Sequence, residues 1–384
     1  MLPYSRQSID EADIAAVTSV LRGDWLTQGP AVERYEEALA AFTGAPGCVA
    51  VSSGTAALHL AYAALGVGPG DELITTPITF SATANAACLL GATPVFADVE
   101  PDTGNLSVES VAARITERTV GIAAVHYGGL PVDLAPLSAL ARVRGLWLLE
   151  DACHAMGARY EGTTIGDAEY SDAVVFSTHA IKNITTGEGG AVLSRRPELV
   201  ERCRLLRTHG IDKSAGDPDA PWSYDMLELG WNYRITDIQS ALGLSQLQRL
   251  PGWIDRREAL AERYTEELAA RLGGVVRPQP NQAGRRNARH LMATRIDFDG
   301  LGNTRAAVMQ GLRAEGIATQ VHYIPVHQLR WYRERFGEQH RPQAEAFYAE
   351  QLSLPLFAEM TDDDVRFVVR TLEQQLTRGM SHAS

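Results

Sequence analysis

Lys182 stands in a polar elbow between two apolar runs, residues 173–176 and 191–193, within the stretch DAVVFSTHAIKNITTGEGGAVLS. Lysine is normally solvated and mobile, but the short segments on both sides hold this one at a strand terminus. A desolvated amine there can lose its proton and become a nucleophile. Ser177 and Thr178 stand just before it, and hydroxyls in that place suit a phosphate. Two readings fit these residues: a lysine covalently linked to pyridoxal phosphate (PLP), or a loop lysine beside a hairpin.

Three further groups could do chemistry with it. Ser52, Ser53, Gly54 and Thr55 follow an apolar run and open an Ala/Leu-rich helix. Small and hydroxyl residues at a helix N-terminus offer an anion site, because free N–H groups and the helix dipole face the ligand; an ordinary N-cap reads the same way. Glu150, Asp151 and His154 emerge from another apolar run. A carboxylate at a buried strand end needs a partner, which a pyridinium N–H, an ion pair or a helix N-cap would supply. Phe80 could lie flat on a planar ring or belong to the core. The arginines of residues 279–290 (QPNQAGRRNARH) could meet a diphosphate, although a solvated loop is the simpler reading.

The elements that must position these residues follow from the pattern of the chain. Its 384 residues suffice for a large core and a second, smaller domain. From residue 48 onward short apolar runs alternate with helical lengths: 48–51, 72–75, 93–97, 120–125, 146–149 and 173–176. Such runs are typical of a parallel sheet buried on both faces. We therefore expect an α/β fold with a three-layer domain and a mostly parallel sheet, over residues 1–250, and a smaller C-terminal α/β domain over 251–384. Ligands in such folds bind beyond the carboxyl ends of the strands, where the candidate residues fall.

Ahead of the sheet, Ser8 and Glu11 make a capping box for a helix with inner residues Ile14, Val17 and Leu21. A second helix, opened by Pro30, turns Val32, Tyr35, Leu39 and Phe42 inward. In the C-terminal part we expect strands at 290–298, 316–323 and 352–357, helices at 304–315 and 361–376, and a frayed tail from 378.

The net charge of −12 argues against nucleic acid or an acidic membrane as a partner. No apolar run is long enough to span a bilayer and the first residues carry no signal pattern, which places the chain in the cytoplasm by default. Four scattered cysteines, Cys48, Cys88, Cys153 and Cys203, suggest neither a disulfide framework nor a zinc site, and no metal is expected.

An anion site, a carboxylate and a lysine thus fall in that order at strand ends of one domain. With them the chain resembles the DegT/DnrJ/EryC1/StrS family of sugar aminotransferases, which have the PLP fold type I. The words that carry the resemblance are WLTQGP, SSGTAALHLA, TTPITFSATANA, EDACHAMGA, FSTHAIKNITTGEGGAV, NYRITDIQSALGLSQL, QVHYIPVH and SLPLF. PYSRQSID, HAIKNITTGEGG and QVHYIPVHQ look most like the branch that aminates C4 of a UDP-linked 4-keto-6-deoxy-N-acetyl sugar on the way to pseudaminic acid.

The resemblance implies a PLP-dependent transaminase, a homodimer with shared active sites, that moves the amino group of L-glutamate to UDP-2-acetamido-2,6-dideoxy-β-L-arabino-hexos-4-ulose. It implies that Lys182 binds the cofactor covalently and that Asp151 keeps the ring nitrogen protonated. Gly54, Thr55 and Ser177 would hold the phosphate, with Asn232 reaching in from the partner subunit; His154 would pack against the ring or support Asp151, and Phe80 would cover the ring's other face. Tyr4, Asp24, Trp25, Leu26, Thr27, Ser53, Gln320, Val321, His322 and Tyr323 would line the sugar-nucleotide pocket. Thr178 departs from the family, which often has an aromatic residue there. The related sugar dehydratases place histidine where this chain has Lys182, which speaks for transamination.

Overall fold

A computed structural model describes residues 1–217 and 219–380. Its main sheet is built from β1 (Gly47–Val51), β2 (Glu72–Thr75), β3 (Thr93–Phe96), β4 (Thr119–Val125) and β5 (Trp147–Asp151). After a small hairpin, β6 (Arg159–Tyr160) and β7 (Thr163–Thr164), come β8 (Ala173–Ser177) and β9 (Gly190–Ser194). The order is β1-β9-β8-β5-β4-β2-β3. Every apolar run read as a strand is one, and the sheet is mostly parallel from β8 to β3. One strand departs from a uniform parallel sheet. The lysine elbow returns directly from β8, so β9 runs antiparallel to it and lies between β8 and β1, pairing antiparallel with both.

Helices cover both faces. α2 (Pro30–Thr43), α6 (Leu134–Arg144) and the start of α8 (Asp237–Leu272) pack against one side with Cys48, Ala50, Leu148 and Phe176. α3 (Gly54–Ala64), α4 (Ala82–Leu89) and α7 (Pro197–Arg207) cover the other with Val49, Val51, Leu149 and Val175. A strand turns successive side chains to opposite faces, so these two residue sets interleave along the same strands. Burying both sets is what makes the runs continuously apolar. The one-turn α5 (Val108–Ala112) precedes β4.

α1 (Glu11–Leu21) differs from the expectation. Its cap is Asp10, paired with Asp13 in the capping box, in place of Ser8 and Glu11. Ile14 and Leu21 are exposed, at 51% and 57%, because the helix turns Asp13 inward, where Gln246 and Arg249 meet its carboxylate. α2 buries Val32, Tyr35 and Leu39 as expected and leaves Phe42 half-buried. Beyond α7 an exposed hairpin, β10 (Ile211–Asp212) and β11 (Asp225–Met226), precedes α8.

The 36 residues of α8 run through residue 250, the expected boundary, and join two cores. Leu247, Leu250 and Ile254 belong to the large one; Leu260, Tyr264 and Leu268 belong to the second. That second core forms on β12 (Val276–Pro278), β14 (Met292–Ile296) and β15 (Gln351–Leu354), with α9 (Arg305–Ala314) and α12 (Asp362–Met380). β13 (Arg285–Arg286) pairs with β6, while α10 (Arg330–Phe336) and α11 (Pro342–Glu350) bridge back toward the large sheet. Residues 316–323 form no strand. They are irregular, held by isolated bridges of Ile317 to Leu2 and Gln320 to Ser353. α12 extends past the expected end to Met380, and the remainder of the tail lies outside the described residues. No helix among the described residues is long and apolar enough to cross a membrane, and none of their His, Cys, Asp or Glu residues group to hold a metal.

Candidate active site

Strand alternation builds the site. Val51, Asp151 and Ser177 end β1, β5 and β8 on the same face and at the same edge of the sheet, the face covered by α3 and α4. Glu150, one residue earlier, points to the opposite face. There it meets His126 Nε2 at 2.9 Å and accepts from Ser171 Oγ at 2.6 Å. The carboxylate pair of the sequence is therefore split by the pleat into one structural and one cavity group.

Above the strand ends lies a cavity of about 680 Å³. Asp151 is 4% exposed; its Oδ2 accepts from Thr83 Oγ1 at 2.7 Å and its Oδ1 from the Cys153 amide at 3.2 Å. Ser53 caps α3, accepting from the Ala56 amide at 3.1 Å, so the amides of Gly54 and Thr55 stay directed at the cavity. Gly54 is required by contact: a Cβ there would stand 2.8 Å from Ser177 Cβ and 3.3 Å from Cys153 Sγ. That close approach draws the helix N-terminus, the lysine strand and the aspartate strand together.

Lys182 lies in the turn between β8 and β9. Its amide donates to His179 O at 2.9 Å, and the turn is clasped where Thr178 and Thr186 exchange backbone and hydroxyl bonds, Oγ1 to Oγ1 at 2.7 Å. Thr178 is fully buried inside this clasp and does not line the cavity. Burial pushes the Lys182 ammonium below its ordinary range, and the nearby Cys153 and Asp151 pull it partly back. The amine is thereby less basic than an exposed lysine.

The opposite wall comes from the irregular 320–323 segment and from Tyr4, whose N-terminal segment is pinned by the Leu356 amide on Tyr4 O at 3.0 Å. His154 bridges the two sides. Its Nδ1 accepts from the Gly128 amide at 3.4 Å, which leaves Nε2–H to donate to Tyr323 Oη at 3.0 Å. His154 makes no bond to Asp151; Thr83 fills that place. Burial and the Lys182 charge hold His154 well below the imidazole range and His322 down to about 3. Phe80 is 61% exposed at the cavity and faces Tyr323 with ring centroids 6.2 Å apart, so it is not a core residue.

The structure thus gathers Tyr4, Ser53, Gly54, Thr55, Phe80, Asp151, His154, Ser177, Lys182, Gln320, Val321, His322 and Tyr323 around one cavity. Asp24, Trp25, Leu26, Thr27 and Asn232 do not line it. Thr27 bridges Thr236, and Asn232 is exposed on the segment leading into α8. The arginines of the 279–290 loop are engaged by the protein itself, Arg285 with Asp133 at 2.9 Å and Arg286 with Asp255 and Glu258 at 2.5 and 3.0 Å. Thr79, Thr83, Cys153, His179 and Glu188 also line the cavity and escaped the sequence reading. Their signal was proximity to residues that were noticed.

The sequence matches the DegT/DnrJ/EryC1/StrS aminotransferase family over residues 7–373. The chain belongs to this family. It is 41% identical over 377 residues to the spore coat polysaccharide biosynthesis protein SpsC of Bacillus subtilis, covering 97% of this chain and 96% of that protein. Among solved structures it resembles PseC of Helicobacter pylori, an aminotransferase involved in the biosynthesis of pseudoaminic acid. That likeness has a TM-score of 0.92 and 34% identity over 98% of this chain and 99% of that one. The sugar aminotransferase Spr1654 of Streptococcus pneumoniae in its PLP form, described as putative, gives a TM-score of 0.91 and 30% identity over 98% and 99% of the two chains. The protein is therefore a PLP-dependent sugar aminotransferase of fold type I, acting in nucleotide-sugar metabolism. The residues present fit the cofactor: an amine of lowered basicity, a buried carboxylate across from it, and a helix N-terminus cradle that a Cβ would fill.

Proposed function

We propose that this enzyme moves the amino group of L-glutamate to C4 of a UDP-linked 4-keto-6-deoxy-N-acetyl-hexosamine, UDP-2-acetamido-2,6-dideoxy-β-L-arabino-hexos-4-ulose, in pseudaminic acid biosynthesis. The observation that carries the reading is the cavity. Lys182 and Asp151 stand at one end of about 680 Å³, in the upper half of the roughly 300–1,000 Å³ usual for small-molecule sites. The wall at 320–323 faces them across space for a second ligand. The likeness to PseC favours this sugar among those the family handles.

Bound PLP supplies an electron sink and carries the amino group from donor to acceptor. Lys182 would anchor it, and its lowered basicity would suit it to act as the base that moves a proton. Asp151 holds negative charge beside the ring nitrogen. The Gly54 and Thr55 amides and the Ser177 hydroxyl bind the phosphate, while Phe80 and His154 flank the ring. Tyr4, Ser53 and residues 320–323 orient the sugar nucleotide.

Asn232 and residues 24–27 lie outside their own cavity and are tied together through the Thr27–Thr236 bridge. We assign both to the cavity of a partner subunit in a cytoplasmic homodimer, which an assembly measurement at working concentration tests.

The test of the substrate is absorbance of the glutamate-treated, gel-filtered enzyme after adding each C5 epimer of the UDP-4-keto sugar. Recovery of the cofactor's visible band with the L-arabino epimer alone supports the assignment. Recovery with only the D-xylo epimer, or only with a dTDP-4-keto sugar, replaces it by the same chemistry on another substrate. The similarity to SpsC, a spore coat polysaccharide biosynthesis protein, favours that second reading.

A further inference from the structure

We propose that Thr83, backed by Thr79, is a positioning residue for the transfer: it fixes the rotamer of Asp151 and keeps that carboxylate a pure hydrogen-bond acceptor. The inference rests on the reading of Asp151 as partner of the ring nitrogen.

Thr83 is 1% exposed in the first turn of α4, and its Oγ1 stands 2.7 Å from Asp151 Oδ2. A hydroxyl has one proton. The Phe80 carbonyl is farther, at 3.3 Å, so the proton goes to the carboxylate. Thr79 Oγ1, at 2.9 Å and also buried, then donates to Thr83 and orients it. The turn is held from below, because Tyr62 Oη donates to Thr83 O at 3.1 Å. With the Cys153 amide on Oδ1, each oxygen of Asp151 already accepts one bond. Both donors are aimed at carboxylate lone pairs, so the geometry fixes Asp151 as an acceptor on both oxygens. A ring N–H that meets this carboxylate keeps its proton, and the ring stays cationic.

The test uses Thr83→Val, which keeps the shape and deletes the hydroxyl, and Thr83→Ser, which restores it. The first readout needs no turnover: the pH midpoint of the visible band of the PLP-loaded enzyme. A cationic ring disfavours a second positive charge at the lysine linkage, so losing ring charge moves that midpoint upward. We expect an upward shift in Thr83→Val of about half a unit or more, and a kcat lower by roughly ten- to hundredfold. KM for glutamate should stay within about twofold, since the Thr83 hydroxyl is engaged by Asp151 and Thr83→Val keeps the shape of the cavity wall. Thr83→Ser should be close to the parent.

An unchanged midpoint and kcat in Thr83→Val overturns the proposal. So does equal damage in Thr83→Val and Thr83→Ser, which would mark a packing role. Asp151→Asn run alongside separates the two levels. If it too leaves the midpoint in place, the reading of Asp151 fails and the proposal with it. If Asp151→Asn moves the midpoint and Thr83→Val does not, only the role of Thr83 falls.

Discussion

The two sides of the cavity are held in different ways. On one side Asp151 and the Gly54 cradle sit at the ends of hydrogen-bonded strands, where ladder register fixes the strand residues to one face, and Lys182 sits in the clasped turn between β8 and β9. On the other, residues 320–323 and Tyr4 hang on isolated bridges and a short N-terminal thread. Reacting groups need placement within fractions of an ångström, which regular elements provide. Recognition surfaces tolerate irregular backbone, and they vary where loops vary. The contrast predicts that damage on the strand side stops chemistry, whereas damage on the irregular side changes the choice of sugar.

The sharpest check is Lys182→Ala. Turnover should vanish while the fold persists, and substantial turnover by the variant would end the assignment of chemistry to the strand side. Asp151→Asn comes next. It should keep bound cofactor yet lose kcat by on the order of a hundredfold, as removal of one preorganised electrostatic partner does; rapid turnover would refute it. On the irregular side, Tyr4→Ala should raise KM for the sugar nucleotide about tenfold and leave the glutamate half-reaction intact. A matching loss in the glutamate half-reaction would break the division between the two sides.

The smallest effect concerns stability. His154, His290 and His322 are all held below the ordinary imidazole value of 6.5 by burial, aided by the Lys182 charge. A base whose basicity is depressed on folding binds fewer protons folded than unfolded, so stability is full above 6.5 and declines as pH falls toward the folded value, about 3 for His322. His322 should contribute a slope of about 1.4 kcal/mol per pH unit in that window, and His154 and His290 act in the same direction. Melting curves between pH 7.5 and 4.5 measure it, and His322→Gln should flatten the profile. A flat parent profile would mean that these rings are not buried as the cavity wall requires.

Much of this was legible because burial leaves a mark on composition. β1, β2, β4, β5 and β8 are apolar on both faces, and that alone reveals a covered sheet. Lys182 and Asp151 stood out since an ionisable group at the end of such a strand needs a partner, which a loop, an N-cap or a ligand can supply. The error in α1 has the same root. Ile14 and Leu21 have the spacing of an inward face, yet the buried residue is Asp13, whose partners Gln246 and Arg249 are more than 230 residues away. Thr83 was passed over for a similar reason: a threonine beside Phe80 carries no signal until Asp151, 68 positions later, is brought to its hydroxyl.

The sequence by itself determined the layered α/β architecture and placed a lysine and an aspartate near the strand ends where ligands bind in such folds. Those follow from local periodicity and from the cost of burying charge, which each short stretch records on its own. Only the tertiary structure decided which face each strand-end residue takes, that Glu150 is lost to the far side, that 316–323 is irregular, and that residues 24–27 and Asn232 miss their own cavity. These outcomes depend on contacts between segments far apart in the chain, and no single stretch contains the information that sets them.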